Sequence, residues 1–382
     1  MANTLTGIIP TLYEALNTVS REMVGLIPAV RRDSNAERAG VGQTVRVPIA
    51  EAGALEDITP GQTPANSGDT TIGYTDIVIT KSKAAPVRWN GEEERAVGTN
   101  GTYNRILADQ FTDAMRKLVN AVEVDLAVAG KAGASRAYGT AGTTPFGTAG
   151  DLSDFAGVLQ ILEDNGAPKT DLQLALGSAA MANLRGKQSV LFKVNEAGSN
   201  DMLRNGMTDR VQGFALRNSA GIVLHTKGDG SAYVTNGATA KGVNAIALKT
   251  GANNVLAGDV VTFAADAVNK YVVNKGIAAP GTITIGAPGA RIAIPDGNAL
   301  TIGGNYVPNL AFARSAIVLA ARAPAVPTGG DAADDAMTLT DPVTGMTFEV
   351  RVYRQYRQVK YEVCLAWGCA AIKPEHIAVL MG

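Results

Sequence analysis

The 382-residue sequence has few cysteines, few aromatic residues and no excess of either charge, and each shortage excludes a class of protein. With only Cys364 and Cys369, a disulfide-stapled secreted scaffold is excluded. These two cysteines lie on one predicted strand at an odd spacing, so their side chains point to opposite faces and cannot bridge. Lys and Arg total 34 against 35 Asp and Glu, which indicates neither nucleic acid nor an anionic membrane as the main partner.

The rest of the composition predicts a folded, β-rich chain of several units. Hydrophobic residues make up 46% and charged residues 18%, which excludes wholesale disorder. Aromatic residues reach only 5% while glycines number 43, so many strands are expected to end in tight turns. At roughly 150 residues per domain, the length predicts two or three folded units.

Catalytic motifs are also missing. Only His225 and His376 are present, far apart in sequence, and neither has the spacing of a metal-ligand pair. Gly130-Lys131 and Gly186-Lys187 are followed by Ala and Gln, so there is no phosphate-binding loop. Residues 218–221 resemble a nucleophile elbow only superficially because an arginine replaces its first glycine. The sequence therefore favours a protein that is not an enzyme.

No targeting or membrane-spanning segment is predicted. Met1–Pro10 lacks the basic and apolar parts of a signal peptide. The most apolar run, Ala316–Val326, contains Arg322 and Pro324 and is too short to cross a bilayer. We expect a cytosol-like compartment.

The first part of the chain predicts an arm and a long hairpin. Residues 11–24 have helical apolar spacing before Pro28, and we interpret this helix as an arm that docks on another domain or subunit. Thr44–Ile49 and Ile72–Ser82 alternate as half-buried strands. Residues 50–71 between them are polar, so this tip is expected to contact something outside its own domain. Neither the arm nor the tip is expected to have partners within its own chain.

A long helix and an α+β unit are predicted next. Thr102–Ala129 has one apolar stripe and an expected length of roughly 40 Å, with Glu123 assigned to its polar side. Residues 151–184 predict a helix, a strand and a second helix, and Ile222–Leu224 predicts another strand.

Residues 226–307 have a different sequence pattern: helical periodicity is absent, and short predicted strands recur between turns. The predicted strands are Ala245–Leu248, Asp259–Phe263, Lys270–Val273, Thr282–Ile285, Arg291–Ile294 and Ala299–Ile302. They indicate a small sandwich or barrel. It is predicted to be an insertion, because the apolar run Leu310–Ala321 that follows resembles the sequence before residue 226. Phe348–Val352 and Val359–Trp367 alternate as a final hairpin.

Two charged clusters allow more than one interpretation. Asp331, Asp334 and Asp335 fit an exposed loop better than a weak cation site. The most basic cluster fits either an interface or nucleic-acid-facing strip or a solvated hairpin turn, and both readings stay open. Its members are Arg351, Arg354, Arg357 and Lys360, with Tyr353 and Tyr356.

The order of these elements resembles the major capsid proteins of tailed phages, which have the Hong Kong 97 phage capsid fold. Three segments carry the resemblance: LRNGMTDRVQGFALRNSAGIV (203–223), PNLAFARSAIVLAARAP (308–324) and the closing run DPVTGMTFEVRVYRQYRQVKYEVCLAWGCAAIKPEHIAV (341–379). The β-rich residues 226–307 resemble the insertion domain of podovirus coat proteins related to the Salmonella phage type.

The resemblance implies an α+β phage major capsid fold divided along the chain. The implied parts are an N-terminal arm (1–43), an extended hairpin loop (44–90), a peripheral domain with the long spine helix (91–150), an axial domain (151–225), an inserted small all-β domain (226–307) and a return through the axial and peripheral domains (308–382).

The implied function is a shell subunit without catalytic residues, cofactor or metal. It would self-assemble as pentamers and hexamers into an icosahedral virion capsid around double-stranded DNA, after assembly in the host cytoplasm and without a membrane. A separate scaffolding protein is expected because the arm begins almost at Met1. A portal at one vertex and a decoration protein are further implied partners. Lys81 and Lys83 lie at the hairpin base, so a noncovalent shell is expected.

Nine residues are candidates for subunit contacts: Leu12, Leu16, Val19, Met23, Asp57, Asp69, Arg351, Arg354 and Arg357. Two alternatives stay open. An encapsulin-like compartment shares the fold, although the β-rich insertion argues against it. A hydrolase or lyase with a β accessory domain is the alternative from a different class.

Overall fold

A computed structural model gives the structure of the chain, which describes residues 12, 25–33, 37–50, 60, 72–97, 102–187, 210–341 and 345–382. In these ranges the helices are α1 (Gly91–Val97), α2 (Thr102–Ala132), α3 (Ser153–Asp164) and α4 (Ser178–Lys187). The first strands are β1 (Arg31–Asp33), β2 (Thr44–Ala50), β3 (Ile72–Val78), β4 (Lys81–Asn90), β5 (Arg136–Tyr138), β6 (Leu172–Leu176), β7 (Arg210–Val211) and β8 (Phe214–Asn218).

The later strands follow without a further α-helix in the described ranges. They are β9 (Val234–Thr235), β10 (Ala245–Lys249), β11 (Val260–Phe263), β12 (Asp266–Lys275), β13 (Thr282–Ile285), β14 (Leu300–Ile302), β15 (Pro308–Ala313), β16 (Ile317–Arg322), β17 (Asp335–Thr340), β18 (Thr347–Gln355), β19 (Gln358–Ala371) and β20 (Ile377–Met381). The mixture of helices and sheets confirms the α+β class.

The first sheet is built around β19. This 14-residue strand pairs with β4 along one edge, and β18 and β16 share its other edge. β17 extends the sheet beyond β18, and β1 pairs in parallel with β16. The central strand alternates as the sequence predicts, so one face of the sheet is available for a helix.

Helix α2 packs on this sheet through the apolar stripe that the sequence predicts. The Phe111 ring meets the Tyr361 ring edge-on at 5.5 Å between centroids. Trp367 Nε1 donates a hydrogen bond to Asp125 Oδ2 at 2.8 Å, and Lys81 Nζ pairs with Asp125 Oδ1 at 2.6 Å. Because each fully buried large apolar side chain contributes about 1.5–3 kcal/mol, the stripe is what fixes α2 to the sheet.

The second sheet runs from the α+β unit into the β-rich residues. Its order is β7-β8-β6-β15-β20-β5-β12-β13-β10-β9, with β11 joined to β12 and β14. β6 and β8 are parallel, and α3 packs on this sheet through Phe155, Val158 and Leu162. Strands β10–β14 have an apolar core of their own, which includes Ile246, Phe263, Tyr271, Ile283 and Ile294.

The predicted strand Ile72–Ser82 is two strands. β3 ends at Val78, and at Ile79 and Thr80 the chain changes partner: Ile79 N–H donates to the Gln43 carbonyl, whereas Thr80 N–H donates to the Trp367 carbonyl. β4 then joins β19 in the first sheet. Local alternation predicts both segments as strand but does not reveal a change of partner, which depends on the distant β19.

Two other strand predictions are wrong. Ile222–Leu224 pairs with no strand in the described ranges, and its Val223 and Leu224 are 54% and 58% exposed; the strand nearest to it in sequence is β8. Arg291–Ile294 forms only a single bridge, from Ile294 to Thr239. The run Leu310–Ala321 is interrupted by a 3₁₀ turn at Arg314–Ala316, which places β15 and β16 in different sheets.

The prediction that the arm lacks partners within the chain is wrong for its described residues. β1 extends the first sheet, and Ala39 bridges to Pro324 beside it. Leu12 is fully buried in the same core as α2. An open sheet edge leaves unpaired backbone groups, and the arm satisfies them here. The rest of the predicted helix 11–24 lies outside the described residues.

Candidate assembly interface

β2 and β3 form a two-stranded ribbon that pairs with no other strand in the described ranges. The register runs from Thr44 opposite Val78 to Ala50 opposite Ile72. Side chains alternate across the ribbon, as the period of two in the sequence predicts. The ribbon therefore has one face toward the molecule and one face toward solvent.

The inner face anchors the base of the ribbon. Val47, Ile77 and Ile79 are buried against Val318 and Ala320 of β16. The ribbon is therefore fixed at its base by packing, whereas its far end, at Ala50 and Ile72, continues the chain into residues 51–71. An isolated ribbon is marginally stable in water, so this anchor and any contact at the far end decide its stability.

The outer face has apolar residues around one ion pair. Arg46 Nε lies 3.1 Å from Asp76 Oδ1, and the guanidinium sits 3.7 Å from the centroid of the Tyr74 ring. The hydrogen bond to Asp76 raises the pKa of Arg46, so the guanidinium stays charged. Ile72 and Tyr74 are 74% and 58% exposed. Such a strip of exposed apolar side chains around a charge pair is typical of a protein contact surface.

The predicted basic strip is largely neutralised inside the chain. Arg351 is buried and pairs with Glu349 and Asp331, while Arg354 Nε lies 3.0 Å from Asp334 Oδ2. Lys360 also pairs with Glu362. These contacts leave little net positive charge along the strip for nucleic acid.

The nine candidate contact residues do not form one described surface. Arg357 lies in the turn between β18 and β19 with a φ of 55°, beside the 92% exposed Tyr356. Arg354 is partly exposed, whereas Arg351 and Leu12 are buried. Leu16, Val19, Met23, Asp57 and Asp69 lie outside the described residues. Their contact role stays a prediction.

Of the three predicted loop carboxylates, Asp331 and Asp334 lie in an exposed loop, whereas Asp335 begins β17 and is half-buried. Asp331 accepts hydrogen bonds from Tyr353 Oη and the Ala333 N–H, and these with the Arg351 guanidinium hold the pKa of Asp331 below its usual value. No group of three or more His, Cys, Asp and Glu side chains in the described ranges could hold a metal ion. Among the described helices, none has the combination of length and apolarity that a membrane span needs.

Glu349 joins this loop to the arm and supports one prediction. Its carboxylate accepts from Arg38 at 2.6 and 3.0 Å and from Arg351 at 3.0 Å. Burial raises the pKa of Glu349, but the two guanidinium groups outweigh burial and hold that pKa below 4.5. Stability from this group is therefore present above about pH 4.5 and is lost as the pH falls through the folded-state pKa.

Glu349→Gln is expected to lower the free energy of unfolding at pH 7 by about 3 kcal/mol, because two cations lose their anion. Urea unfolding measured from pH 7 to pH 3 should also show a flatter acid dependence than the wild type. Asp334→Asn, in the exposed pair with Arg354, is the matched control and should change stability by less than about 1 kcal/mol. Equal losses in both variants would contradict the assignment.

Glu123 is the first functional residue that sequence analysis misses. It is buried, not on the polar side of α2, and its carboxylate accepts from the Leu26 N–H, the Ile27 N–H and Ser219 Oγ at 2.5 to 3.0 Å. Burial raises the pKa of Glu123, and these donors oppose that effect. Its spacing of four residues from buried Val119 is the sequence signal for its position on the buried side.

His225 is the second missed residue. It lies buried between Lys131 and Asp259, with Nδ1 2.9 Å from Lys131 Nζ and Nε2 2.8 Å from Asp259 Oδ1. The three residues come from distant parts of the chain. No local motif in the sequence could indicate the group.

No protein-family model and no curated protein sequence matches the chain. Several solved structures do. A capsid chain of cyanophage P-SCSP1u has 12% identity and a TM-score of 0.48, with 92% of this chain and 86% of that chain covered. The mature capsid of bacteriophage PhiM1 has 10% identity and a TM-score of 0.45, with 93% of this chain and 85% of that chain covered. The virus-like particle from Pyrococcus furiosus has 13% identity and a TM-score of 0.42, with 97% of this chain and 98% of that chain covered. At such identities these are likenesses of overall fold alone.

Proposed function

We propose that the chain is a capsid subunit that assembles with copies of itself into a closed shell. The observation that carries the proposal is the β2–β3 ribbon. It is anchored at its base, extends without a strand partner in the described ranges, and presents an apolar outer face. Such a surface gains contact area only when a neighbouring chain supplies it.

The order of elements supports the same function. A ribbon, the long helix α2, an α+β sheet and a return through β18 and β19 follow one another as the resemblance to phage capsid subunits implies. In this proposal the shell consists of pentamers and hexamers in a virion that encloses double-stranded DNA. A scaffolding protein guides assembly in the host cytoplasm, a portal occupies one vertex and a decoration protein binds outside.

We also propose the division of the chain given by the sequence, with residues 226–307 as an inserted β-domain. The separate core of β10–β14 supports this boundary, as does the junction at which His225 and Tyr306 exchange backbone hydrogen bonds. β12 pairs with β5 over only two residues, Lys270 and Tyr271. The backbone ladder between the insertion and the second sheet is therefore short, while Val260 of β11 and Val272 of β12 pack in the core that contains α2.

Sedimentation of the purified chain, with negative-stain imaging of the fast fraction, tests the proposed function. We expect shells or curved sheets tens of nanometres across, formed by the chain alone or after addition of the candidate scaffolding protein. A persistent monomer under both conditions would contradict the shell function and favour the hydrolase or lyase. Shells that enclose protein and exclude DNA would identify the encapsulin-like alternative.

A further inference from the structure

The residues Lys131, His225 and Asp259 form a group at the junction between α2 and the β-rich residues, in which His225 and Asp259 are buried and Lys131 is half-buried. Lys131 is in the last turn of α2, His225 lies just before residues 226–307, and Asp259 lies just before β11. The His225 and Asp259 side chains are 6% and 0% exposed. The imidazole contacts both partners at once, through Nδ1 to Lys131 and Nε2 to Asp259.

The group lies where the chain enters the β-rich region, at His225, and where it leaves that region, at Tyr306. The His225 N–H donates to the Tyr306 carbonyl at 2.8 Å and the Tyr306 N–H donates back at 3.2 Å. Asp259 also accepts hydrogen bonds from the backbone N–H groups of Gly228 and Leu256. The backbones of His225 and Tyr306 therefore hold the two crossings together, while the Asp259 carboxylate ties the loops at Gly228 and Leu256 to the His225 imidazole.

Few other titratable groups face the imidazole. Tyr306 packs edge-on against it at 5.3 Å, and its hydroxyl donates to the Gly258 carbonyl. Burial raises the pKa of Tyr306, so the phenol stays neutral. Lys227, two positions along the chain, is exposed. Within the part of the chain that the structure describes, the charges that act on His225 from the elements packed against it are therefore those of Lys131 and Asp259.

The hydrogen-bond pattern fixes the number of protons in the group. With Asp259 ionised, His225 Nε2–H donates to it, and a single proton lies between Lys131 Nζ and His225 Nδ1. Burial lowers the pKa of Lys131 while Asp259 opposes that effect. Whichever nitrogen holds the bridging proton, the group has no net charge.

Addition of a second proton breaks this arrangement. The proton comes from solvent and binds the nitrogen that had accepted the hydrogen bond between Lys131 Nζ and His225 Nδ1. Two cationic N–H donors then face each other across 2.9 Å. The group acquires a net positive charge that Asp259 alone cannot balance. Burial of an unbalanced charge is strongly unfavourable, so the contact between α2 and the junction must open.

We propose that Lys131, His225 and Asp259 form a proton-sensitive latch that holds the junction of residues 226–307 against α2 at neutral pH and releases it on acidification. The proposal concerns motion within one chain and does not rest on the shell function. Histidine is the side chain suited to such a switch, because its charge changes between about pH 5 and pH 8.

Amide hydrogen exchange of the full chain between about pH 7.5 and pH 5 tests the latch. The reporters are the Gly228 and Leu256 amides, and protection factors remove the intrinsic pH dependence of exchange. Opening that takes up one proton should lower protection by up to about tenfold per pH unit in the wild type. Protection that does not change with pH would overturn the proposal.

Two variants separate the latch from general acid sensitivity. In His225→Gln, the amide can accept from Lys131 and donate to Asp259 without titrating, so protection at both reporters should be independent of pH. In His376→Gln, which removes the other histidine of the chain, the wild-type dependence should persist. Acid-dependent loss of protection in His225→Gln would overturn the proposal.

Lys131→Met provides the test if His225→Gln does not fold. Without the lysine, a protonated imidazole faces only Asp259, so acidification creates a favourable ion pair and protection should not fall. A fall as steep as that of the wild type would show that Lys131 plays no part and would overturn the latch.

Discussion

Replacement of residues 51–70 by Asn-Gly is expected to abolish shell formation while the chain still folds. Ala50 and Ile72 are already paired at the far end of the ribbon, so Asn-Gly with Thr71 closes it through a three-residue connection, a common hairpin length. The base of the ribbon keeps its packing on β16. We expect assembly, measured as the pelleted fraction, to fall at least about 100-fold, because a lost contact of about 3 kcal/mol acts at every subunit.

Two controls make this result specific. Circular dichroism and urea unfolding of the variant should match the wild type, which shows that assembly alone is lost. Ile72→Lys, at an exposed position on the outer face, should also weaken assembly, whereas Val268→Lys on β12, at an 89% exposed position, should not. Particles of normal size and yield from the shortened ribbon would contradict its proposed role.

Glu123→Gln is expected to have the largest effect on stability of any single change considered. The amide places an N–H₂ group opposite donors from Leu26, Ile27 and Ser219, so at least one buried donor loses its acceptor. Each buried donor left without an acceptor costs about 1–3 kcal/mol, a large part of the stability of an ordinary domain. Urea unfolding at pH 7 under conditions that keep the chain monomeric measures the loss.

The same helix offers the control for this variant. Asp113 pairs with Lys117 on the exposed side of α2, with side chains 53% and 71% exposed. Asp113→Asn should change the free energy of unfolding by less than about 1 kcal/mol. An unchanged stability in Glu123→Gln would mean that its carboxylate does not hold the arm to α2.

Sequence patterns predict those parts of the fold that depend on local periodicity. The apolar stripe of α2, the alternation in β18 and β19 and the opposed side chains of Cys364 and Cys369 all follow from spacing along one element. The change of partner at Ile79 and Thr80 does not, because both segments alternate alike and only the distant β19 separates them.

The candidate surfaces show the same division. The ribbon is predictable because its strands alternate and its tip is polar. For Glu123 the spacing indicates the buried side of α2 but not its partners, and nothing indicates the position of His225. A buried polar residue is stable only with partners, and these lie 96 and 94 residues away. The arm was expected to lack partners for a similar reason: its acceptors on α2 and its sheet edge at β16 are remote in sequence.

The central position of β19 in the first sheet has a consequence for biosynthesis. Trp367 of β19 meets Asp125 of α2 across 242 residues of chain, so α2 leaves the ribosome long before the strand that covers it exists. At about 5–20 residues per second, translation of that interval takes roughly 10–50 s. During this time the apolar stripe of α2 has β4 beside it but not the central strand of the sheet. We therefore expect the nascent chain to expose this stripe to general chaperones, and its yield to depend on how quickly the ribosome reaches β19.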